Sequence, residues 1–232
     1  ANHALNARTV KHLLAQTARK TDSENTGVNL TFENIDGELV SYNAIPGWQT
    51  NAAGYHFHQY YGLGAVNVDN AVNKALFTST NLPALQVTEW QQTVANVDIP
   101  DASISGVESN TEVLNDVTIE SVQVKLNLDH ERSRDLSIEL ISPSGTRSIL
   151  MSARTGFLSL SSNGYNDSLL MSTHFYGESS KGEWTLKVVD TDKGESATIL
   201  WDYGRKIYSV NNENNIDLGV VKDWSIRFFG HK

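Results

Sequence analysis

Residues Leu136–Leu150 read LSIELISPSGTRSIL, and the reading of this stretch decides the fold. Leu136, Ile138 and Leu140 alternate with Ser137 and Glu139, the period of a strand that buries one face and shows the other to water. Ser142-Pro143-Ser144-Gly145 follows; Pro143 pre-sets φ for a turn and Gly145 tolerates its exit, so the chain doubles back into the second apolar run. The stretch is expected to be a hairpin in a sheet. It carries no nucleophile, metal cluster or basic patch, and Ser144 is expected to be an ordinary polar turn residue.

The same period of two recurs on either side of it. Thr118 to Leu128 places Val122, Val124, Leu126 and Leu128 on one face, and Ser148 to Ser152, Trp184 to Val189 and Trp224 to Phe229 have strand character. Short strands separated by turn chemistry predict an antiparallel β-sandwich, jelly-roll-like in type. Upstream of Asn81-Leu82-Pro83 the pattern differs. Asn6 can cap a helix in which Val10, Leu13, Leu14 and Thr17 or Ala18 share a face, with Lys11, Arg19 and Lys20 on its outer side and last turn. Leu30 to Phe32, a tight turn at Asp36-Gly37 and Leu39 to Tyr42 predict a short ribbon. A second helix is expected over Val68 to Phe77, with Val68, Ala71, Val72, Ala75 and Leu76 as its apolar stripe and Asn67 or Asp69 at its start.

Composition narrows the function. The 232 residues are 39% hydrophobic and 19% charged, with a net charge of -9, so the chain can bury a core but lacks the cationic surplus that nucleic acid or an anionic membrane demands. The absence of Cys excludes a disulfide framework, thiol catalysis and thiolate zinc sites. No apolar run approaches the ~18 residues of a membrane span. The start, Ala1-Asn2-His3-Ala4-Leu5-Asn6, has neither an initiator Met nor the apolar core of a signal peptide, and the chain is expected to be a piece of something longer.

Among candidate chemistries, Asp190-Thr191-Asp192-Lys193-Gly194-Glu195 gathers three carboxylates around a glycine. Oxygen ligands on a sharp turn suit a hard cation, so Asp190, Asp192 and Glu195 are the expected ligands of a Ca²⁺ ion, completed by backbone carbonyls; the alternative is a solvated acidic turn. Asp129, Glu131 and Asp135 form a second acidic group that Arg132 and Arg134 interleave and neutralise. His56-Phe57-His58 would put two imidazoles on one face of an extended segment, yet no carboxylate stands beside them. Their aromatic neighbours Tyr55, Phe57, Tyr60 and Tyr61 point to packing and hydrogen bonding, as for His12, His130 and His174. No serine lies in the strained turn or small-residue helix start that an activated nucleophile needs, so no catalytic residue is assigned. Asn29-Leu30-Thr31 and Asn166-Asp167-Ser168 fit the glycosylation sequon only as short chance patterns.

Several of these segments together resemble one family. RDLSIELISPSGTRSIL, the block His174-Phe175-Tyr176-Gly177-Glu178 with Lys181-Gly182-Glu183-Trp184-Thr185-Leu186-Lys187-Val188, and Asp223-Trp224-Ser225-Ile226 resemble the P domain that follows the protease domain in kexin, furin and related bacterial subtilisin-like serine proteases. VKHLLAQTA and YHFHQYYGLGAVNVDNAV resemble the end of the catalytic domain in that family. The resemblance implies residues 1–85 as the C-terminal remnant of an α/β subtilisin-like domain, 86–94 as a linker and 95–232 as the P domain. It places the catalytic Ser just upstream of Ala1 and the other catalytic groups further upstream. The implied protein is a secreted endopeptidase acting on protein substrates, its P domain supporting the protease domain, the remainder of which is the expected partner, either in a longer chain or as a separate nicked one. Phe175-Tyr176 replaces the family's usual His or Trp pattern, and an insertion from Tyr203 to Leu218 together with the lack of Cys sets the chain apart from eukaryotic members. The alternative from another class is a stand-alone module presenting Tyr165, Tyr176, Trp201, Tyr203 and Tyr208 to a carbohydrate or a cell-surface partner.

Overall fold

The computed structural model describes residues 4–154, 164–194, 196–213 and 218–232. Its first helix, α1 (Ala7–Thr17), begins where Asn6 accepts a hydrogen bond from Thr9 N, satisfying one of the amides that the first turn leaves open. A ribbon of β1 (Gly27–Glu33) and β2 (Leu39–Pro46) follows, then the short pair β3 (Gln49–Thr50) and β4 (His56–Phe57), and α2 (Val68–Phe77) capped by Asn67. These elements form the N-terminal segment.

The remainder is a sandwich of two antiparallel sheets. β10 (Arg147–Met151), β9 (Leu136–Ile141), β12 (Gly182–Asp190) and β7 (Val107–Val113) lie in that order in one sheet. The other runs β11 (Tyr165–Ser172), β8 (Thr118–Asp129), β15 (Gly219–His231) and β5 (Gln86–Val87), and β6 (Gln91–Ile99) also pairs with β15. Of the expected linker 86–94, both ends are therefore held in the sheet: Gln86 pairs with Gly230 and Gln91 with Ile226. A last ribbon, β13 (Ser196–Asp202) and β14 (Ile207–Glu213), pairs only with itself among the described residues; its second strand falls within the insertion read from Tyr203 to Leu218, and its first precedes it.

The core lies between the two sheets. Val122, Val124, Leu126 and Leu128 of β8 face Leu136, Ile138 and Leu140 of β9, and Phe175, Trp184, Trp224 and Phe228 fill the space between them. Trp184 meets Phe175 edge-on at 4.9 Å between ring centroids, and its indole N–H donates to Ser180 O at 2.8 Å, so the largest buried side chain also satisfies its one polar atom. Each fully buried aliphatic side chain here contributes roughly 1.5–3 kcal/mol by leaving water.

Two expectations about faces need correcting. The α2 stripe does not enter a core: Ala71 is its buried residue, while Val68, Leu76 and Phe77 are 63%, 60% and 88% exposed. Conversely, the polar face of the opening strand is not in water, since Ser137 and Glu139 are as inaccessible as the leucines they alternate with. Strands β6 and β7 carry little apolar signal because each is mostly polar, and β11 leaves Leu169 and Met171 exposed; β6 supplies Ile99 and β7 supplies Val113 to the core. A strand that buries so few side chains has no clean alternation to read.

Candidate interface between the helical segment and the sandwich

The hidden polar face of β9 is covered by β2. Tyr42 OH donates to Glu139 Oε1 and lies 2.8 Å from Ser137 Oγ. The Arg147 guanidinium grips the same carboxylate with two bonds, Nε to Oε2 at 2.6 Å and Nη2 to Oε1 at 2.8 Å, and reaches the Asn43 carbonyl at 2.8 Å. A charge taken out of water is tolerable only when paired and fully hydrogen-bonded, and here the N-terminal segment supplies part of the bonding. Burial, then the Glu139 charge, push the Tyr42 phenol well above its ordinary value, so the hydroxyl remains a donor at any physiological pH.

A second contact joins α1 to β8 and β15. Arg8 Nε donates to Glu120 Oε2 at 3.2 Å and its Nη2 bonds Oε1; His231 Nδ1 shares Oε1 at 3.0 Å. Burial works to raise the Glu120 pKa, but the bonds from Arg8 and His231 outweigh it and hold the carboxyl below its ordinary range. Arg8 Nη1 also donates to Pro83 O at 2.8 Å, and Asn81 ties the same stretch to α1 by accepting from Asn6 N at 2.7 Å and donating to Ala4 O at 2.8 Å.

The centre of the seam is the loop His174–Glu178 against the β3–β4 segment. Asn51 Nδ2 donates to His174 O at 2.8 Å and Tyr176 O at 2.9 Å. Ala52 N donates to Glu178 Oε1 at 2.9 Å. His174 stacks on Phe57 with ring centroids 4.1 Å apart and planes at 16°, and Tyr176 OH lies 3.0 Å from His12 Nδ1. Gly177 stands where nothing larger fits: it has φ +83°, and a Cβ there would come within 2.7 Å of the Tyr55 ring.

The acidic residues singled out in the sequence sit at the far end of the sandwich. Asp190 Oδ2 is 3.1 Å from His130 Nε2, and its Oδ1 accepts from Asp192 N at 3.0 Å. Asp192 Oδ1 accepts from Gly194 N at 3.1 Å, and its Oδ2 lies 3.6 Å from Arg132 and 3.8 Å from Arg154. Glu195 lies outside the described residues. Asp101, His130 and Asp190 bring possible ligand atoms within 4.8 Å of one another, a grouping the sequence spacing does not reveal. Its imidazole is already committed, however: Nδ1 accepts from Arg132 N at 3.0 Å, which leaves the proton on Nε2, pointing at Asp190. An imidazole so arranged offers no lone pair to a metal and no free nitrogen to a nucleophile. The second acidic group separates, Asp129 pairing with Lys222 at 2.6 Å and Asp135 with Arg132 at 2.9 Å. His56 and His58 separate too. His56 Nδ1 lies 2.9 Å from Thr50 Oγ1, whereas His58 is buried, with Nε2 3.2 Å from Asn25 Oδ1 and Nδ1 accepting from Tyr60 N. Of the five aromatics considered as a platform, Tyr176 is buried and Tyr165 packs on the core; Trp201, Tyr203 and Tyr208 are exposed together.

Fold and contacts define an accessory β-sandwich, one side of which is built to hold a second unit. Residues 119–202 match the family model of the proprotein convertase P-domain, and this part of the chain is a P domain of that family. It is 34% identical, over 98% of its own length, to the Aeromonas extracellular serine protease of Aeromonas sobria, covering 38% of that protein. To proprotein convertase subtilisin/kexin type 6 of Rattus norvegicus it is 28% identical over 99% of its length, covering 21% of that protein. The crystal structure of the serine protease of Aeromonas sobria superposes with a TM-score of 0.87 at 32% identity, covering 99% of this chain and 41% of that one. The chain thus spans about two fifths of the length of the bacterial relatives it matches.

Proposed function

We propose that the chain is the C-terminal part of a secreted subtilisin/kexin-like serine endopeptidase, in which the sandwich carries and stabilises the catalytic unit. The observation behind this reading is the outer side of the helical segment. Val68, Val72 and Leu76, at i, i+4 and i+8, form one stripe of α2 open to water, followed by the exposed Phe77. The opposite side of the segment is fastened to the sandwich by Arg8, Asn51 and Tyr42. An apolar stripe of this kind is the inner face of a layer that lacks its sheet; with residues 1–85 as the end of a catalytic domain, the rest of that domain would supply it from the length of the relatives this chain does not cover. Similarity to extracellular Aeromonas proteases supports secretion.

The test is expression of the complete coding region with Val72→Lys and Leu76→Lys. Loss of folded, secreted peptidase is expected, because the two charges would face the catalytic unit's apolar surface. Unchanged peptidase yield, or peptide hydrolysis by residues 1–232 alone that a serine-directed inhibitor blocks, would sink the reading. A second reading rests on the exposed ring cluster of Trp201, Tyr203 and Tyr208: a carbohydrate surface, to which saturable glycan binding abolished by Trp201→Ala would testify.

A further inference from the structure

His174 is 1% exposed, and its Nε2 has no hydrogen-bond partner. A buried imidazole nitrogen left without a partner costs stability that ordinary packing would avoid, so its position calls for a reason. The ring is the piece of the sandwich that Phe57 of the N-terminal segment lies upon, and the backbone on either side of it receives the two Asn51 bonds.

We propose that His174 is an acid-release latch of the seam: a neutral imidazole clamped on Phe57 which, on taking a proton, loosens residues 49–58 from the sandwich and makes attachment of the N-terminal segment depend on pH. The proposal deepens the reading of the seam as the attachment of a catalytic unit, but its test needs no peptidase activity, so the two can fail separately.

No charged neighbour contributes to the His174 shift. The elements against the ring bring His56 and His58 from the β3–β4 segment and Tyr176 and Glu178 from its own loop; beyond Tyr176 lie His12 and Arg8 of α1 and Glu120 of β8. Glu178 Oε1 is occupied by Ala52 N and Thr146 Oγ1, whereas its Oε2 is buried without a hydrogen-bond partner; Glu120 is held by Arg8 and His231. Burial alone sets the titration, lowering the His174 pKa to about 4. The sign follows from linkage. The neutral form is the one that fits, so its contribution is complete above the unfolded value near 6.5 and is lost as pH falls from there toward 4. Asp135, pushed up to about 6 by burial, acts with opposite sign in the same window, and His12, His56 and His58, all lowered mainly by burial, act with the same sign. The informative quantity is therefore the difference between wild type and a variant at position 174.

The experiment compares the 232-residue chain with His174→Phe, which keeps the stack on Phe57 and cannot titrate, and with His174→Gln. Melting temperature and amide exchange of residues 49–58 are followed from pH 7.5 to 4.5. Wild type is expected to lose the seam by up to about two orders of magnitude in its opening equilibrium over that range; the variants lack that component, and the extra exchange is confined to the seam. Equal acid responses in all three proteins overturn the proposal. So does a wild-type His174 ring that titrates by NMR near 6.5, a measurement that stands even if neither variant folds.

Discussion

Arg147 and Glu139 face each other across the β9–β10 pair with two bonds of 2.6 and 2.8 Å, and the carboxylate is 2% exposed because Tyr42 of the N-terminal segment lies over it. One ion pair thus belongs to two parts of the chain: the sandwich provides both charges, and the segment provides the cover and a third hydrogen bond.

Removing the carboxylate should expose that dependence. Glu139→Ala leaves Arg147 and the Tyr42 hydroxyl without their shared acceptor and is expected to cost about 2–4 kcal/mol, at or below the range for a broken buried pair because Arg147 keeps some access to solvent. A cycle with Tyr42→Phe, read by urea unfolding, should show coupling of about 1 kcal/mol or more; additive effects would mean that the segment's hydroxyl contributes nothing to the pair.

Gly177→Ala should weaken the seam without touching the core between the sheets. The added methyl meets the Tyr55 ring at 2.7 Å and the Ala53 Cβ at 3.0 Å, on a backbone with φ +83°, so an expected loss of about 1–3 kcal/mol combines overpacking with a left-handed conformation. Gly145→Ala is the control, since its φ is +82° but no atom lies within 4 Å. A variant at 177 no worse than the one at 145 would show that the close approach is unimportant.

Asp135 should titrate near pH 6. Burial raises it, Arg132 opposes, and Asp192 and Asp190 add to the rise, so that it reaches about 6 from 3.8. Between those values the folded state holds the proton more tightly than the unfolded state, so this group's contribution to stability grows as pH falls from 6 toward 3.8. Relative to wild type, Asp135→Asn should therefore gain stability as pH rises from 4 to 6.5 and then level off. A relative loss over that range would reverse the assignment.

Calcium is the open question for Asp190, Asp192 and Glu195. Arg132 and Arg154 already stand beside Asp192, and the His130 imidazole is bonded to Asp190, so a divalent ion must compete with partners built into the fold. Addition of 1 mM Ca²⁺ to the metal-stripped chain is expected to change the melting temperature by less than about 1 °C, as for a dissociation constant weaker than about 1 mM. Saturable stabilisation, removed by Asp192→Asn, would instead establish the site.

Much of this was readable from spacing alone. The strand from Thr118, the hairpin from Leu136 and the helix from Val68 stand where alternation, the turn residues and Asn67 place them, because short-range patterns report short-range structure. The meeting of Arg8 with Glu120 or of Asn51 with His174 spans more than a hundred residues, and no local period encodes it.

LSIELISPSGTRSIL shows the division most clearly. Its own residues determine that Leu136, Ile138 and Leu140 point one way and Ser137 and Glu139 the other, since successive side chains of a strand alternate. Which of those directions meets water is a property of what covers the sheet. Tertiary structure buried both, one under β8 and β15 and the other under β2, and the polar face can be covered only because Tyr42 arrives from a distant part of the chain to join Arg147 of the same hairpin in satisfying it.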